Sequence, residues 1–297
     1  MERFKVAATQ VDVKYRDLEH NIETHRRMIR ETAEAGCRLV VFPELSVTGH
    51  NGSVEVVQFA EEANGRIFRT LHEEAKRNHI IVGYGFCELF RGTHYNSFAL
   101  VGPAGMIGIQ RKVHASYDEF FRFRQAYEWG VFDLGFCKAG IAICHDSDFW
   151  ESWRILALMG AEVVLIPHAV RKMVNPDGFL TFDGAERECT YDELIANQRE
   201  LLMARPSPKL HDIQARTNGV FAVFSDQVGF DGHSSHVGGA YVWDPEGRMI
   251  AGLEPQTGDA WVSAELDPEI HARVRRNPWF PLKKRRPEAY GELTRLI

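Results

Sequence analysis

Short apolar runs alternate with longer amphipathic segments along most of the chain. Apolar runs rich in Val, Ile and Phe are typical of buried strands, whereas apolar residues spaced three or four positions apart are typical of helices. In the first half of the chain, the runs predict strands over residues 4–9, 37–42 and 80–86 and a hairpin over 97–101 and 106–110. The helical spacing predicts helices over residues 17–35 and 67–78.

The second half repeats this alternation of strands and helices. The pattern predicts strands over residues 131–134, 162–167, 219–225 and 259–265, a strand that ends at Cys144, and a hairpin that turns at 244–247. It predicts helices over residues 149–158, 191–204 and 209–218. Residues 171–188 carry Gly and Pro next to Asn and Asp without a regular period, which predicts a loop after a strand, where binding residues tend to lie.

Both halves close with a hairpin, and no Gly/Ser-rich or Pro-rich linker divides them. This pattern favours one α/β domain, in which two sheets pack face to face and helices cover the outside. We expect this domain to span residues 1–270. Residues 271–297 mix aromatic, basic and proline residues too irregularly for a core of their own, so we expect a C-terminal arm that packs on a partner subunit.

The composition is that of an ordinary globular protein, with 44% hydrophobic and 26% charged residues. The formal net charge of −6 at pH 7 argues against nucleic-acid binding, and the basic run over 283–286 is isolated in this acidic chain. The sequence has neither an apolar run long enough to span a membrane nor a signal-peptide pattern, so we expect a cytoplasmic protein. The five scattered cysteines fit reduced thiols in that compartment.

Three polar residues directly follow predicted strands. Glu44 comes after a strand that is stopped by Pro43, Lys112 ends the first hairpin, and Cys144 lies at the turn from a strand into a helix. Strands that run in the same direction would bring all three to one edge of the domain. Near a helix N-terminus, the helix dipole and free amide groups favour a thiolate. Taken singly, each residue has an ordinary alternative: a helix cap, a solvated charge and core packing, respectively.

Three stretches around these residues resemble the motifs of the nitrilase superfamily of carbon–nitrogen hydrolases. They are VVFPELSVTG over residues 40–49, RKVH over 111–114 with Glu119 shortly after, and GIAICHD over 140–146 with Glu151 and Arg154. Further similarity lies in ARTNGV over 215–220 and in GGA over 238–240 before DPEG over 244–247. The resemblance runs in order through residues 4–268, which makes chance agreement an inadequate explanation.

The resemblance implies an αββα sandwich of two packed sheets with outer helices, assembled as a homodimer or a larger homo-oligomer. It implies a catalytic set of Glu44, Lys112 and Cys144. It adds Glu119, which corresponds to a second glutamate of the family that helps to position the lysine and the substrate. Neither a metal nor a cofactor is expected.

These residue types suit the hydrolysis of a carbon–nitrogen bond. A free thiol with a pKa of about 8.5 is mostly protonated at neutral pH, so it needs a base such as Glu44, which would later activate the hydrolytic water. Cys144 would attack the carbonyl carbon and form a thioester. Lys112 and the backbone N–H of His145 would stabilise the tetrahedral oxyanion, at about 3–4 kcal/mol per donor.

The residues after the nucleophile bear on the substrate. True nitrilases usually carry tryptophan and glutamate there, whereas His145 and Asp146 resemble the amidase side of the superfamily. N-carbamoyl-D-amino-acid hydrolases place arginines in the stretch where this chain has Asp148. As substrate-binding candidates, His145 lies next to the nucleophile, Asp148 would attract an amine and Arg171 would attract an acid. The last two point in opposite directions, so the charge of the substrate stays open.

The sequence therefore favours an amidase that acts on a small linear amide. A hydrolase of N-carbamoyl amines or amino acids is the main alternative. A nitrilase, and an inactive member that serves as an interaction module, are further alternatives. Residues 171–210 match the superfamily poorly, so the substrate specificity of its members cannot be assigned to this chain.

We expect iodoacetamide to modify Cys144 before the other four cysteines, with loss of activity in step with that modification. The other cysteines lie beside apolar strands or in an acidic stretch and lack partners such as Glu44 and Lys112. Peptide mapping by mass spectrometry measures the order of labelling, and a good substrate should protect Cys144. Activity that survives complete modification of Cys144, or turnover by Cys144→Ala, would contradict the thioester mechanism.

Overall fold

The computed structural model describes residues 1–50, 54–175, 178–180, 186–187, 210–230, 234–253 and 257–295. In the first half, the strands are β1 (Phe4–Val11), β2 (Leu39–Val41), β3 (Ile81–Phe90), β4 (Thr93–Gly102) and β5 (Gly105–Arg111). The helices of this half are α1 (Leu18–Glu34), which Asp17 caps by accepting a hydrogen bond from the backbone of His20, and α2 (Arg66–Asn78). All predicted elements of this half are present.

In the second half, the strands are β6 (Val131–Asp133), β7 (Lys138–Ile141), β8 (Val163–Pro167), β9 (Arg171–Asn175), β10 (Gly178–Leu180), β11 (Glu186–Arg187), β12 (Phe221–Phe230), β13 (Ser234–Val237), β14 (Ala240–Trp243), β15 (Met249–Gly252) and β16 (Ala260–Leu266). The helices are α3 (Trp150–Leu158), α4 (His211–Asn218) and α5 (Pro268–Arg276). The helix predicted over residues 191–204 lies outside the described residues.

The strands form two sheets that meet along one seam. The first sheet has the order β16-β1-β2-β3-β4-β5, and the second has the order β6-β7-β8-β12-β14-β15. At the seam, β1 and β12 pair in parallel, with Gln10 opposite Asp226 and Val11 opposite Gln227. The last strand of the chain, β16, therefore lies beside the first, which ties both ends of the domain together.

Alternation of apolar side chains along the strands divides the core into layers. In β1, Val6 belongs to the core between the two sheets and Ala7 to the core beneath α1 and α2. In β8, Val163 faces the middle core and Val164 the core beneath α3 and α4. Strands that are covered on both faces have continuous runs of apolar residues, which explains why the sequence predicted these strands clearly. The resulting order of layers is helix, sheet, sheet, helix, as the αββα prediction requires.

The directions of the strands bring four chain segments to one edge. β1, β2, β3 and β12 are parallel along the seam, β5 runs with β3 through two antiparallel pairings, and β7 and β8 are parallel to β12. The carboxyl ends of β2, β5, β7 and β8 therefore point the same way. This arrangement confirms the predicted geometry of the strand ends.

Two parts of the second half differ from the sequence prediction. Residues 171–188, predicted as a loop, contain the short strands β9, β10 and β11. They form because β13 pairs with β12 on one edge and with β9 on the other, and β10 and β11 follow β9 in the sheet. The helix α5 was not predicted, although Asp267 caps its first turn and Pro268 begins it. Among the described residues, no helix is both long and apolar enough to cross a membrane.

The C-terminal arm packs in part on its own subunit. Phe280 is only 5% exposed and lies against Gly219, where an added Cβ would come within 2.6 Å of the Phe280 ring. Leu282 packs against the core beneath α3 and α4. Trp279, in contrast, is 81% exposed. The predicted need for a neighbour is thus met within the chain for Phe280 and Leu282, while Trp279 still lacks cover.

Candidate active site

Glu44 lies in the turn that follows β2 and is fully buried. Pro43 ends the strand, and Leu45 adopts a positive φ of 46°, so the chain reverses sharply around the carboxylate. The turn lies directly on β3, because a Cβ at Gly85 would be 2.2 Å from the backbone nitrogen of Leu45. Only glycine fits at this close approach. The sharp turn and the adjacent strand together fix the position of the Glu44 side chain.

Lys112 follows β5 and is 3% exposed. Its Nζ donates to Glu44 Oε1 at 2.7 Å and to Glu119 Oε2 at 2.7 Å. Burial by itself lowers the pKa of the Lys112 ammonium, but the negative charges of Glu119, Glu44 and Cys144 together raise that pKa well above its usual value. Lys112 therefore stays protonated at neutral pH despite its burial.

Glu119 completes the cluster from a 3₁₀ turn, Tyr117–Phe121, whose start it caps by accepting hydrogen bonds from the amide and hydroxyl of Ser116. Its other oxygen, Oε1, lies 3.3 Å from His50 Nε2. Burial by itself raises the pKa of the Glu119 carboxyl, whereas the charge of Lys112 and the contact with His50 bring it well below its usual value. Glu119 is thus held as a carboxylate beside the ammonium.

Asn96 bridges the two carboxylates. It lies in β4, is 1% exposed, and its Nδ2 donates to Glu44 Oε1 at 2.7 Å and to Glu119 Oε1 at 2.9 Å. Both amide hydrogens are therefore used inside the cluster. The other oxygen of Glu44, Oε2, is buried without a hydrogen-bond partner in the part of the chain that the structure describes. This free oxygen is available to accept a proton.

Cys144 lies three residues after Ile141, the last residue of β7. It begins a 3₁₀ turn over Cys144–Asp148 that leads into α3. It has a positive φ of 49°, a conformation that costs a non-glycine residue on the order of 1–3 kcal/mol. The hydroxyl of Ser147 donates to the carbonyl oxygen of Cys144 at 2.7 Å and supports the turn. The side chain is partly exposed.

The remaining described thiols differ sharply from Cys144. Burial raises the pKa of Cys37 to about 11 and the pKa values of Cys87 and Cys137 to about 12. These thiols are buried in the core and remain protonated at neutral pH, so they cannot compete as nucleophiles. The expected order of alkylation is therefore supported for the four cysteines that the structure describes, while Cys189 lies outside it.

His168 connects the turns of Glu44 and Cys144. Its backbone carbonyl, directly after β8, accepts from the amide of Glu44 at 3.2 Å, and its Nε2 lies 3.0 Å from Ser147 Oγ. Gln227 at the seam donates to the carbonyl of Glu44 at 2.7 Å. The turns at this edge are thus joined by hydrogen bonds between different strands, so their relative positions depend on the whole sandwich.

A cavity of about 450 Å³ opens beside the Cys144 turn. Its walls combine aromatic, imidazole and small polar side chains: His114, Ala115, Ser116, Phe120, Gln125, His145 and Phe149. His114 stacks on Phe149 with ring centroids 3.9 Å apart. The segment after Lys112 therefore contributes to the cavity wall, with Phe120 as its aromatic side chain.

Of the three substrate-binding candidates, only His145 is among the residues that line the cavity in the described part of the chain. His145 lines the cavity, and its Nδ1 lies 2.9 Å from Asp148 Oδ2, so the two candidates form a pair with each other. Arg171 begins β9, but its side chain lies outside the described residues. Of the candidate catalytic residues, Glu44, Lys112 and Glu119 are in direct contact, and Cys144 lies close enough for its charge to act on Lys112.

Sequence reasoning missed two members of the cluster, Asn96 and His50. Asn96 directly precedes the strand predicted over 97–101, but the observed strand β4 begins earlier, at Thr93, and includes it. Ligand atoms of Glu44, His50 and Glu119 lie within 4.8 Å of one another, a spacing that a metal ion could use. The ammonium of Lys112 already bonds to both carboxylates, however, so the cluster contains its own cation.

Comparison with known proteins shows the family of this chain. A family model described as carbon-nitrogen hydrolase matches residues 5–276, so the chain belongs to the carbon–nitrogen hydrolase family. A nitrilase of Pyrococcus abyssi (strain GE5 / Orsay) is 30% identical over 290 residues, 96% of this chain and 98% of the relative. An (R)-stereoselective amidase of Pseudomonas sp is 28% identical over 291 residues, 98% of this chain and 94% of the relative. An N-carbamoylputrescine amidase of Solanum tuberosum is 26% identical over 290 residues, 94% and 91% of the two chains.

Solved structures agree on the fold. A carbon-nitrogen hydrolase from Helicobacter pylori G27 superposes with a TM-score of 0.81 at 19% sequence identity, over 99% of both chains. This similarity confirms the predicted α/β architecture of the nitrilase superfamily. The chain is thus a carbon–nitrogen hydrolase, as the sequence motifs predicted.

Replacing Glu119 by glutamine should lower the free energy of unfolding at pH 7, and the deficit should shrink as the pH falls below about 4.3, the ordinary pKa of glutamate. The folded-state pKa of Glu119 lies well below this value, so the unfolded chain takes up the proton first. The stability contributed by ionised Glu119 is therefore present above the unfolded pKa and lost as the pH falls through the folded pKa. Urea unfolding at neutral and acidic pH measures the deficit.

The matched control is Glu128→Gln, which changes an exposed glutamate after the same loop. Its free energy of unfolding should follow that of the natural protein at every pH. A deficit for Glu119→Gln that stayed constant from neutral to acidic pH would contradict the ionised state assigned to Glu119.

Proposed function

We propose that the chain is an amidase that hydrolyses a small linear amide through a thioester on Cys144. The observation that carries this proposal is the buried cluster of Glu44, Lys112 and Glu119 beside the Cys144 turn. A buried lysine with a carboxylate on each side and a partly exposed cysteine nearby combines a base, a cationic stabiliser and a nucleophile in one place.

In the first half of the reaction, Cys144 Sγ attacks the carbonyl carbon of the amide. Glu44 accepts the thiol proton on Oε2, the oxygen that has no partner in the described part of the chain. Two ammonium hydrogens of Lys112 are used on Glu44 and Glu119, so the third donates to the new oxyanion, together with the backbone N–H of His145. The C–N bond then breaks, and Glu44 returns the proton to the leaving nitrogen, which departs as ammonia or an amine.

In the second half, Glu44 removes a proton from water, and the water oxygen attacks the thioester carbon. Lys112 stabilises the second oxyanion in the same way as the first. The C–S bond breaks, the carboxylic acid leaves, and the Cys144 thiolate regains its proton from Glu44. Glu119 takes no proton in this scheme; it acts as a second anion that holds Lys112 in place.

The substrate class rests on the residues next to Cys144. His145 and Asp146 favour an amide, and a relative named (R)-stereoselective amidase supports this choice. Hydrolysis of an N-carbamoyl amine is the second candidate, supported by a relative named N-carbamoylputrescine amidase.

A panel of small amides, N-carbamoyl compounds and nitriles, assayed for ammonia, tests both candidates. Release of stoichiometric carbon dioxide with ammonia identifies an N-carbamoyl substrate. Absence of any hydroxylamine-trapped acyl group with all of them would favour an inactive interaction module.

Lys112→Met should lower kcat by about 10²–10³-fold, because the lost hydrogen bond belongs to the transition state. The change leaves Glu44 and Glu119 without their shared cation, so we also expect a stability loss of about 3–5 kcal/mol, reduced where the carboxylates take up a proton. Steady-state kinetics measure kcat, and circular dichroism measures the folded fraction.

The control for this variant is Lys138→Met, which removes an exposed lysine at the start of β7. It should leave kcat unchanged. A folded Lys112→Met protein with near-normal kcat would exclude the oxyanion role of Lys112.

We also propose that residues 271–297 and the outer face of α3 and α4 contribute to a homodimer. This face carries exposed apolar side chains, and Trp279 of the arm is 81% exposed. The exposed side chains on the two helices include Ile155 at 37%, Leu158 at 49% and Ile213 at 40%. A second subunit would remove this apolar surface from water.

The full-length protein should therefore be at least a dimer in light scattering at micromolar concentration, and deletion from Asn277 onward should weaken the dimer. Deletion also removes Phe280, which packs within the subunit, so the double variant Ile155→Ser/Leu158→Ser gives a gentler test. Met249→Ser, on β15, is the control with a similarly exposed apolar residue. A monomeric full-length protein would disprove the proposed assembly.

A further inference from the structure

Asp146 connects the two segments that carry Lys112 and Cys144. It is fully buried within the 3₁₀ turn that begins at Cys144. Its Oδ1 accepts from the backbone N–H of His114 at 2.7 Å and lies 2.9 Å from the Nδ1 of the same residue. Its Oδ2 accepts from the backbone N–H of Val113 at 3.3 Å and from that of Ile143 at 3.2 Å.

These contacts fall on the nearest neighbours of the reacting residues. Val113 and His114 directly follow Lys112, and Ile143 directly precedes Cys144. Backbone amides can only donate, so both oxygens of Asp146 act as acceptors, and the hydrogen-bond pattern assigns the proton to Nδ1 of His114. One carboxylate therefore joins the end of β5 in the first sheet to the nucleophile turn in the second sheet.

Nothing else in the proposed mechanism requires a carboxylate at this position. Asp146 does not accept from Lys112 Nζ, which donates to Glu44 and Glu119 instead. Backbone amides could be satisfied by water at an exposed turn, but Asp146 and the amide of Ile143 are buried, and a buried N–H left without an acceptor costs about 1–3 kcal/mol. The hydrogen bonds of Asp146 therefore fix the distance between the segment after Lys112 and the Cys144 turn.

We propose that Asp146 is a positioning residue that sets the place of Lys112 relative to Cys144. The inference rests on the proposed roles of those two residues in amide hydrolysis. The Cys144 charge acts on Lys112, and the interaction is mutual, so a correctly placed ammonium also favours the thiolate. Loosening the connection should weaken both the nucleophile and the stabilisation of the oxyanion, since each depends on the same separation.

Asp146→Asn is the direct test, because the variant keeps the size of the side chain. An amide nitrogen in the place of Oδ2 faces the backbone N–H groups of Val113 and Ile143 and loses both hydrogen bonds, and one in the place of Oδ1 loses the hydrogen bond from the backbone N–H of His114. We expect kcat for the amide to fall about a hundredfold, as for a displacement on the order of 1 Å, with little change in KM. The pH midpoint of iodoacetamide alkylation at Cys144, measured by peptide mapping, should move to higher pH, toward the midpoint of Lys112→Met.

Glu44, Glu119, His114 and His145 are retained in this variant, and loss of the Asp146 charge by itself would favour the thiolate, so neither accounts for a shift to higher pH. The matched control is Asp244→Asn. Asp244 is also buried and also caps a turn, by accepting from the amides of Glu246 and Arg248 at 2.8 and 3.0 Å, but it lies between β14 and β15. The Asp244→Asn variant should have a lower Tm but the same kcat and the same pH midpoint of Cys144 alkylation as the natural protein.

If Asp146→Asn does not fold, Asp146→Glu takes its place, because it keeps the charge but moves both oxygens by one methylene. A folded variant that retains the natural kcat and midpoint, or that loses only Tm as Asp244→Asn does, overturns the inference about Asp146. If Lys112→Met itself leaves the midpoint and kcat unchanged, the proposed role of Lys112 fails first, and the inference fails with it. A shift with Lys112→Met but none with either Asp146 variant rejects only the positioning role.

Discussion

The buried ion cluster around Lys112 is the constraint on which the other features of this edge depend. A lysine ammonium taken out of water is stable only if carboxylates replace its hydration, and here Glu44 and Glu119 each accept from it at 2.7 Å. The two carboxylates in turn tolerate each other because the ammonium lies between them and Asn96 donates to both. Removal of Lys112 would leave two buried carboxylates without a shared cation, and removal of either carboxylate would leave the ammonium with a single one.

Neither sheet could build this cluster and its nucleophile alone. The first sheet supplies Glu44, Asn96 and Lys112, and the second supplies Cys144. Contact between them depends on the parallel seam of β1 and β12, which aligns the carboxyl ends of both sheets. Hydrogen bonds through His168 and Gln227 then connect the separate turns. The precision of the site is therefore a property of the packed sandwich, and local sequence around each residue cannot provide it.

Both turns that carry the reacting groups contain a strained backbone conformation. Cys144 and Leu45, the residue after Glu44, both have positive φ values without being glycine. Such conformations persist only where the surroundings enforce them. The Leu45 turn is held by backbone hydrogen bonds to β3 and to His168, and the Cys144 turn by the hydroxyl of Ser147 and by the amide of His114. The cavity lies beside the Cys144 turn, and Ser116, which lines it, donates to Glu119 of the buried cluster.

The sequence by itself determined the class of fold, the order of strands and helices in the first half, and Glu44, Lys112, Glu119 and Cys144 as candidates, because apolar periodicity and short motifs are local signals. It did not determine β9 to β11, whose pairing depends on the edge of β13, or α5, which lies in a mixed polar stretch. Asn96 and His50 emerged only from the tertiary structure, as did the contacts of Asp146, which the sequence marked only as part of a motif. All three residues acquire partners from segments that are distant along the chain.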